Sequence, residues 1–122
     1  MSNTGRWTAS PQYNADMEMA EYILEILRSQ PFVVMSWGFN SARVIENGIA
    51  FYVQGYLHKG RVEVVYDEGW DLFVVRTLNA DGSVKEKQEG IYADGLVSTI
   101  DNMVEHCENY KQRVSRDYGL LN

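Results

Sequence analysis

The sequence predicts an α+β fold: an N-terminal helix, a four- to five-stranded antiparallel meander and a long C-terminal helix, with both helices on one face of the sheet. Three observations predict it. Apolar residues recur at helical spacing near the start, a two-residue rhythm broken by turn residues fills the middle, and helical spacing returns from Asp94 onward.

The first helix is carried by Met17, Ala20, Ile23, Leu24 and Leu27, with Glu18, Glu21, Glu25 and Arg28 between them. One side is apolar and the other charged. Asn14 fits the N-cap, because its side chain can accept a bond from a first-turn amide, and Ser10 followed by Pro11 offers an alternative start one turn earlier. Pro31 marks the end.

From Phe32 to about Ile91 the period is two and turn residues fall at short intervals, as an antiparallel meander requires. Asn47-Gly48 is the clearest turn. Both residue types tolerate positive φ, so the pair fits a tight hairpin between a strand ending near Glu46 and one starting near Ile49. In the second strand Ile49, Phe51, Val53, Gly55 and Leu57 fall on one face, and Ala50, Tyr52, Gln54, Tyr56 and His58 on the other. Lys59-Gly60 reads as the next turn, followed by Val62, Val64 and Tyr66 alternating with Arg61, Glu63 and Val65. Asp67-Glu68-Gly69 then leads into Trp70 to Leu78, an apolar run suited to a central strand, with Phe73 and Val75 favoured inward. Asn79 to Gly82 forms another turn, and the charged stretch Ser83 to Glu89 suits an edge strand that resists intermolecular pairing.

Asp94 is the expected N-cap of the last helix, which runs to about Tyr118, where Gly119 supplies a left-handed stop. Leu96, Ile100, Met103, Cys107, Tyr110 and Val114 form its apolar line. Such a helix is roughly 36 Å long against roughly 25 Å for a strand, so its last turns are expected to overhang the sheet. The domain reading is a flexible polar N-terminus over residues 1–13, one domain over 14–119 and a tail over 120–122.

Composition narrows the function classes. With 122 residues, 45% hydrophobic and 23% charged, the chain has the size and make-up of one packed domain. Met1 to Gln12 holds no apolar run suited to a signal peptide, and Cys107 is the single cysteine, so the expectation is a cytoplasmic protein without a disulfide or a membrane span. The formal net charge of -6 disfavours phosphate backbones and anionic membranes as partners, and no Lys/Arg cluster is visible along the chain to offset it.

No motif for catalysis emerges. His58 and His106 sit in no nucleophile or zinc-helix spacing, and adjacent His106 and Cys107 point about 100° apart on a helix. Asp67, Glu68 and Asp71 cluster at a turn, where solvation is the simpler reading than calcium or magnesium binding. The ten glycines stand singly and form no phosphate-binding fingerprint. Neither a catalytic residue, nor a metal, nor a cofactor is expected.

A binding surface is more legible. The sheet face opposite the helices should carry Tyr52, Tyr56 and Arg61, joined by Trp37 or Trp70, residue types that serve as protein-interface anchors and can also stack on nucleic-acid bases. Tyrosines paired across strands also stabilise a sheet by about 0.2–1 kcal/mol, so the same residues have a purely structural reading. Two lesser surfaces are the acidic stripe Glu18, Glu21 and Glu25, which invites comparison with a decoy of a DNA-binding protein, and the helix line Cys107, Tyr110 and Val114, which would serve a homodimer.

Ser36-Trp37-Gly38-Phe39, Asn47 to Gly55, Lys59-Gly60-Arg61-Val62, Asp71 to Val75 and Ile91 to Val97 running into Ile100-Asp101 together resemble a group of short uncharacterised bacterial α+β proteins. The resemblance covers about residues 32 to 108. Members of that group are often encoded on conjugative or phage-like mobile elements, which implies an accessory role such as transfer, maintenance or interference with host defence. These motifs occupy turn and core positions and imply a shared fold more than a shared activity. The leading expectation is a non-catalytic protein-binding module; the alternatives are a small-ligand binder or enzyme with a pocket between helices and sheet, and the acidic decoy.

Overall fold

The computed structural model describes residues 11–105, which form two longer helices, a short helix and one five-stranded sheet. In chain order these are α1 (Pro11–Arg28), α2 (Pro31–Ser36), β1 (Asn40–Ile45), β2 (Gly48–Gln54), β3 (Lys59–Asp67), β4 (Leu72–Leu78), β5 (Val84–Ile91) and α3 (Leu96–Val104), the last entered through a 3₁₀ turn over Ala93–Gly95. The sheet is an antiparallel meander in the order β1-β2-β3-β4-β5. Short connections make sequential strands neighbours, which antiparallel pairing permits without a crossover.

The predicted alternation sets the core. Ile49, Phe51 and Val53 of β2, Val62 and Val64 of β3, and Phe73 and Val75 of β4 are all buried on one side of the sheet. Ala20, Ile23 and Leu27 of α1 pack on that side, as do Leu96, Val97, Ile100, Met103 and Val104 of α3. α1 lies against β1 and β2, while α3 lies against β4 and β5. Asp16 anchors α1: its Oδ1 accepts from the Asn47 amide at 2.7 Å and from Gln12 Nε2 at 2.8 Å.

Several boundaries differ from the sequence reading. Asn14 lies inside α1 rather than at its cap, and Gln12 and Tyr13, read as polar terminus, are helical. Pro31 does not only end a helix. Its fixed φ and missing amide suit the first helical position, so it starts α2 and turns Phe32–Ser36, expected to be strand, into helix. The β1–β2 turn residues are Glu46 and Asn47, and only Asn47 takes positive φ (57°). Gly48 already belongs to β2, where it is required by close approach: a Cβ there would meet the Val64 carbonyl oxygen at 2.0 Å. Lys59 and Gly60 open β3 instead of forming a turn, which falls at 55–58. Trp70 is in the β3–β4 turn, outside β4.

Asp94 sits within the 3₁₀ turn and does not cap α3, whose N-cap is Gly95 without a side-chain bond. α3 ends at Val104 with Glu105 as its C-cap, because the Leu57 and His58 amides take the Val104 carbonyl, so it is not the unbroken helix expected to Tyr118; Cys107, Tyr110 and Val114 lie outside the described residues. The apolar line from Leu96 through Ile100 to Met103 is spent on the domain's own sheet.

Candidate partner-binding face

No element within residues 11–105 covers the other side of the sheet, and the hairpin register decides which side chains meet there. Residues directly opposite in an antiparallel pair share a face, so the pairings read as rows across the strands. One row runs Arg43, Ala50, Glu63, Arg76, Lys87 from β1 to β5. On one side of it stands Ile45, Gly48, Val65, Val74. On the other stand Tyr52, Arg61, Leu78, Val84. Rows are spaced about 6.7 Å along the strands and neighbouring strands about 4.8 Å across.

The central row carries a charged ladder. Glu63 accepts from Arg61 Nε through Oε2 and from Arg76 through Oε1, each at 3.0 Å. These side chains are partly exposed, so the pairs contribute little to stability and mainly hold the guanidinium groups in place. Lys87 pairs with Glu89 on its own strand at 3.2 Å, where both are well exposed. Arg43 makes no ion pair among the described residues and is exposed. The chain has no run of basic residues, yet folding gathers Arg43, Arg61, Arg76 and Lys87 on one face, with Lys59 at its rim. Only Arg28 and Lys85 remain elsewhere among the described cations. The absence of a basic cluster, read from the linear chain, is therefore corrected by the register.

The relief of this face follows from residue size. Gly48 and Ala50 are the smallest residues in their rows and are buried beneath the larger side chains that flank them on β1 and β3. A concavity of about 400 Å³ is lined by Ile45, Arg61, Glu63, Val65 and Arg76, together with turn residues. At one end a second concavity of about 580 Å³ is lined by Tyr52, Lys59, Arg61 and Leu78 beside the β4–β5 turn.

Of the anchors expected from sequence, the structure brings together Tyr52 and Arg61, which are register partners on this face. Tyr52 is 39% exposed. Tyr56 is also exposed but belongs to the turn after β2, beside α3, where its amide donates to Glu105. Trp70 is 77% exposed at the opposite end of the face, six residues of β3 and about 20 Å from Tyr52. Trp37 is a correction. It follows α2 directly, is fully buried in the core, and donates from Nε1 to Asp101 at 2.9 Å. The single aromatic patch thus becomes two separated aromatics with a charged ladder between them.

The two-residue rhythm fails past Gln54, so His58 is not on the open face. Gly55 must pass so close to α3 that a Cβ would lie 2.4 Å from Val104, and the Leu57 and His58 amides both donate to the Val104 carbonyl. That bend exposes Leu57 and buries His58 to 3% exposure, reversing the expected faces. His58 Nε2 lies 3.0 Å from the Arg61 carbonyl, and Nδ1 lies 3.4 Å from the Lys85 ammonium, which also donates to the Leu57 carbonyl. A neutral ring satisfies both: Nε2–H donates and Nδ1 accepts. Burial lowers the His58 pKa below its ordinary value, opposed by the Arg61 bond and reinforced by the Lys85 charge.

The Asp67, Glu68 and Asp71 group serves its own turn: Asp67 accepts from the Gly69 amide, and Asp71 accepts from the Tyr66 hydroxyl. Among the described residues no three His, Cys, Asp or Glu side chains converge as a metal site would require. No described helix is long and apolar enough to cross a membrane. Comparison with protein-family models, curated proteins and solved structures finds no match to this chain.

Proposed function

We propose that the chain is a non-catalytic binding module that engages a protein partner through the helix-free face of its sheet, in an accessory role. One observation carries the reading. The uncovered face presents an ordered set of anchors, Tyr52 beside Arg61 and the Arg61–Glu63–Arg76 ladder, the latter lining a concavity with Ile45 and Val65. Arginine and tyrosine bring large contact area and directional bonds, and ion pairs that fix their geometry lower the entropy lost on docking. A surface needed only for solubility has no use for buried Ala50 or for aligned guanidinium groups. The concavities just described lie on this side, not between the helices and the sheet, where the alternative reading would put a substrate pocket.

A photo-crosslinking amino acid introduced at Val65, on this face, tests the assignment when the full chain is irradiated in its native host cells. A discrete higher-mass adduct is expected from position 65 and none from position 21 on the outer side of α1. Equal adducts from both positions, or none from position 65, overturn it.

A further inference from the structure

We infer that the partner segment received by this face is acidic: a polypeptide stretch with one bulky apolar side chain flanked by Asp or Glu. The inference rests on the binding-face reading above and adds the chemistry of the occupant. Charge complementarity is the first argument. A molecule of net charge -6 concentrates Arg43, Arg61, Arg76 and Lys87 on one face, where Glu63 and Glu89 are engaged in ion pairs and Glu46 and Asp67 lie toward the Asn47 end, while Glu18, Glu21 and Glu25 stand exposed on α1 on the other side of the sheet. Glu63 is already shared by two arginines, which leaves the row with more guanidinium donors than carboxylate acceptors. Arg43, exposed and without an ion pair among the described residues, is the clearest open donor.

The apolar row supplies the second argument. Ile45 and Val65 wall the concavity over Gly48, about 6.7 Å from the charged row, so one segment can seat an apolar side chain between them and reach the arginines with its neighbours. That pairing of an apolar seat with adjacent cations separates an acidic polypeptide from a nucleic acid. A phosphate backbone carries charge every few ångströms along its whole length and has no apolar group for the seat between Ile45 and Val65. The remaining negative charge of the molecule repels a long polyanion further, whereas a short acidic segment meets only the local field within about 8–10 Å.

The test uses the full chain as bait for a phage-displayed library of random peptides, followed by affinity measurements with the enriched peptides as synthetic probes. Enriched sequences are expected to carry Asp or Glu beside one large apolar residue, and binding is expected to weaken with salt. Arg43→Glu should lower affinity by about tenfold or more, the scale of one well-placed charge pair. Val65→Lys blocks the apolar seat and should abolish binding; thermal melts confirm that both variants fold. Peptides lost on Val65→Lys but indifferent to Arg43→Glu and lacking acidic residues overturn the acidic occupant while leaving the face assignment standing. Peptides indifferent to both variants overturn the face itself. Failure to enrich any saturable binder overturns the inference, as does duplex DNA binding more tightly than the peptides at physiological salt.

Discussion

The two sides of the sheet are built by the same strands and do opposite work. Along β2, Phe51 is fully buried and Tyr52, the next residue, is 39% exposed. On the covered side the strands offer mainly shape and apolar area to α1 and α3, with Thr77 the buried polar exception. On the open side they offer Arg43, Arg61, Glu63 and Arg76 in register. The contrast shows that alternation alone separates the residues that build the core from those that form the open face. Substitutions one residue apart should therefore differ by kind as well as by size.

The largest expected effect is on the covered side. Phe51 packs against Phe39 with the rings tilted and their centroids 4.6 Å apart, and no solvent reaches it. Phe51→Ala should cost about 3–5 kcal/mol in urea unfolding, from lost burial and the cavity left behind. Tyr52→Ser should cost below about 1 kcal/mol, the range of a surface cross-strand pair. Equal losses would mean that the open side is a second core.

How much of this was legible before folding follows the same division. The inward set of Phe51, Val53, Val62, Val64, Phe73 and Val75 is readable because period-two hydrophobicity is a local signal. The meander order is readable because turn residues are local too. The charged row is not. Arg43, Glu63, Arg76 and Lys87 are spread over four strands, and only the register set by the Glu46-Asn47 turn and the later hairpins aligns them. Trp37 was misplaced because Pro31 restarts a helix, which swings the indole beneath the sheet toward Asp101. His58 was misplaced because the tight approach of Gly55 to Val104 breaks the rhythm, and neither neighbour is visible in a strand pattern. In each case a contact between distant residues overrode a correct local rule.

A second comparison concerns the sheet backbone, which belongs to neither face. Gly48→Ala would drive a Cβ into the Val64 carbonyl, so β2 and β3 must part locally. About 1–3 kcal/mol of destabilisation is expected from such overpacking, read from the denaturation midpoint. Gly95→Ala is the matched control. It has open space and no left-handed φ, so the entropy gained in the unfolded chain offsets the poorer N-cap that Ala makes for α3, and the net change should stay within about 1 kcal/mol.

A smaller effect is expected where the two sides meet, at His58. Its folded pKa lies below 6.5, so as pH falls the unfolded chain takes up the proton first. The stability that the neutral ring contributes is complete above pH 6.5 and is lost as pH drops through the folded value. Protonation would also set an imidazolium against the Lys85 ammonium, now 3.4 Å from Nδ1. Melting temperature should therefore decline from neutral to mildly acidic pH, and His58→Gln should flatten that decline. An unchanged slope in the variant would assign the titration elsewhere. Because the Arg61 carbonyl bonds His58 while its side chain belongs to the open face, peptide binding measured over the same range reports whether the two sides are coupled.

The smallest effect tests the open side at its centre. Glu63→Gln keeps the side-chain shape and removes the charge that Arg61 and Arg76 share. Partly exposed pairs of this kind contribute about 0.2–1 kcal/mol each, and salt screens them. The variant should lose no more than about 1–2 kcal/mol at low ionic strength, and less at high. Gln keeps one amide oxygen as acceptor but removes the charge that holds both guanidinium groups, so an acidic peptide should bind the variant more weakly than the parent. Binding at least as tight as the parent's would mean that Glu63 competes for the arginines more than it orients them, and that the ladder acts as a store of free donors rather than a fixed template.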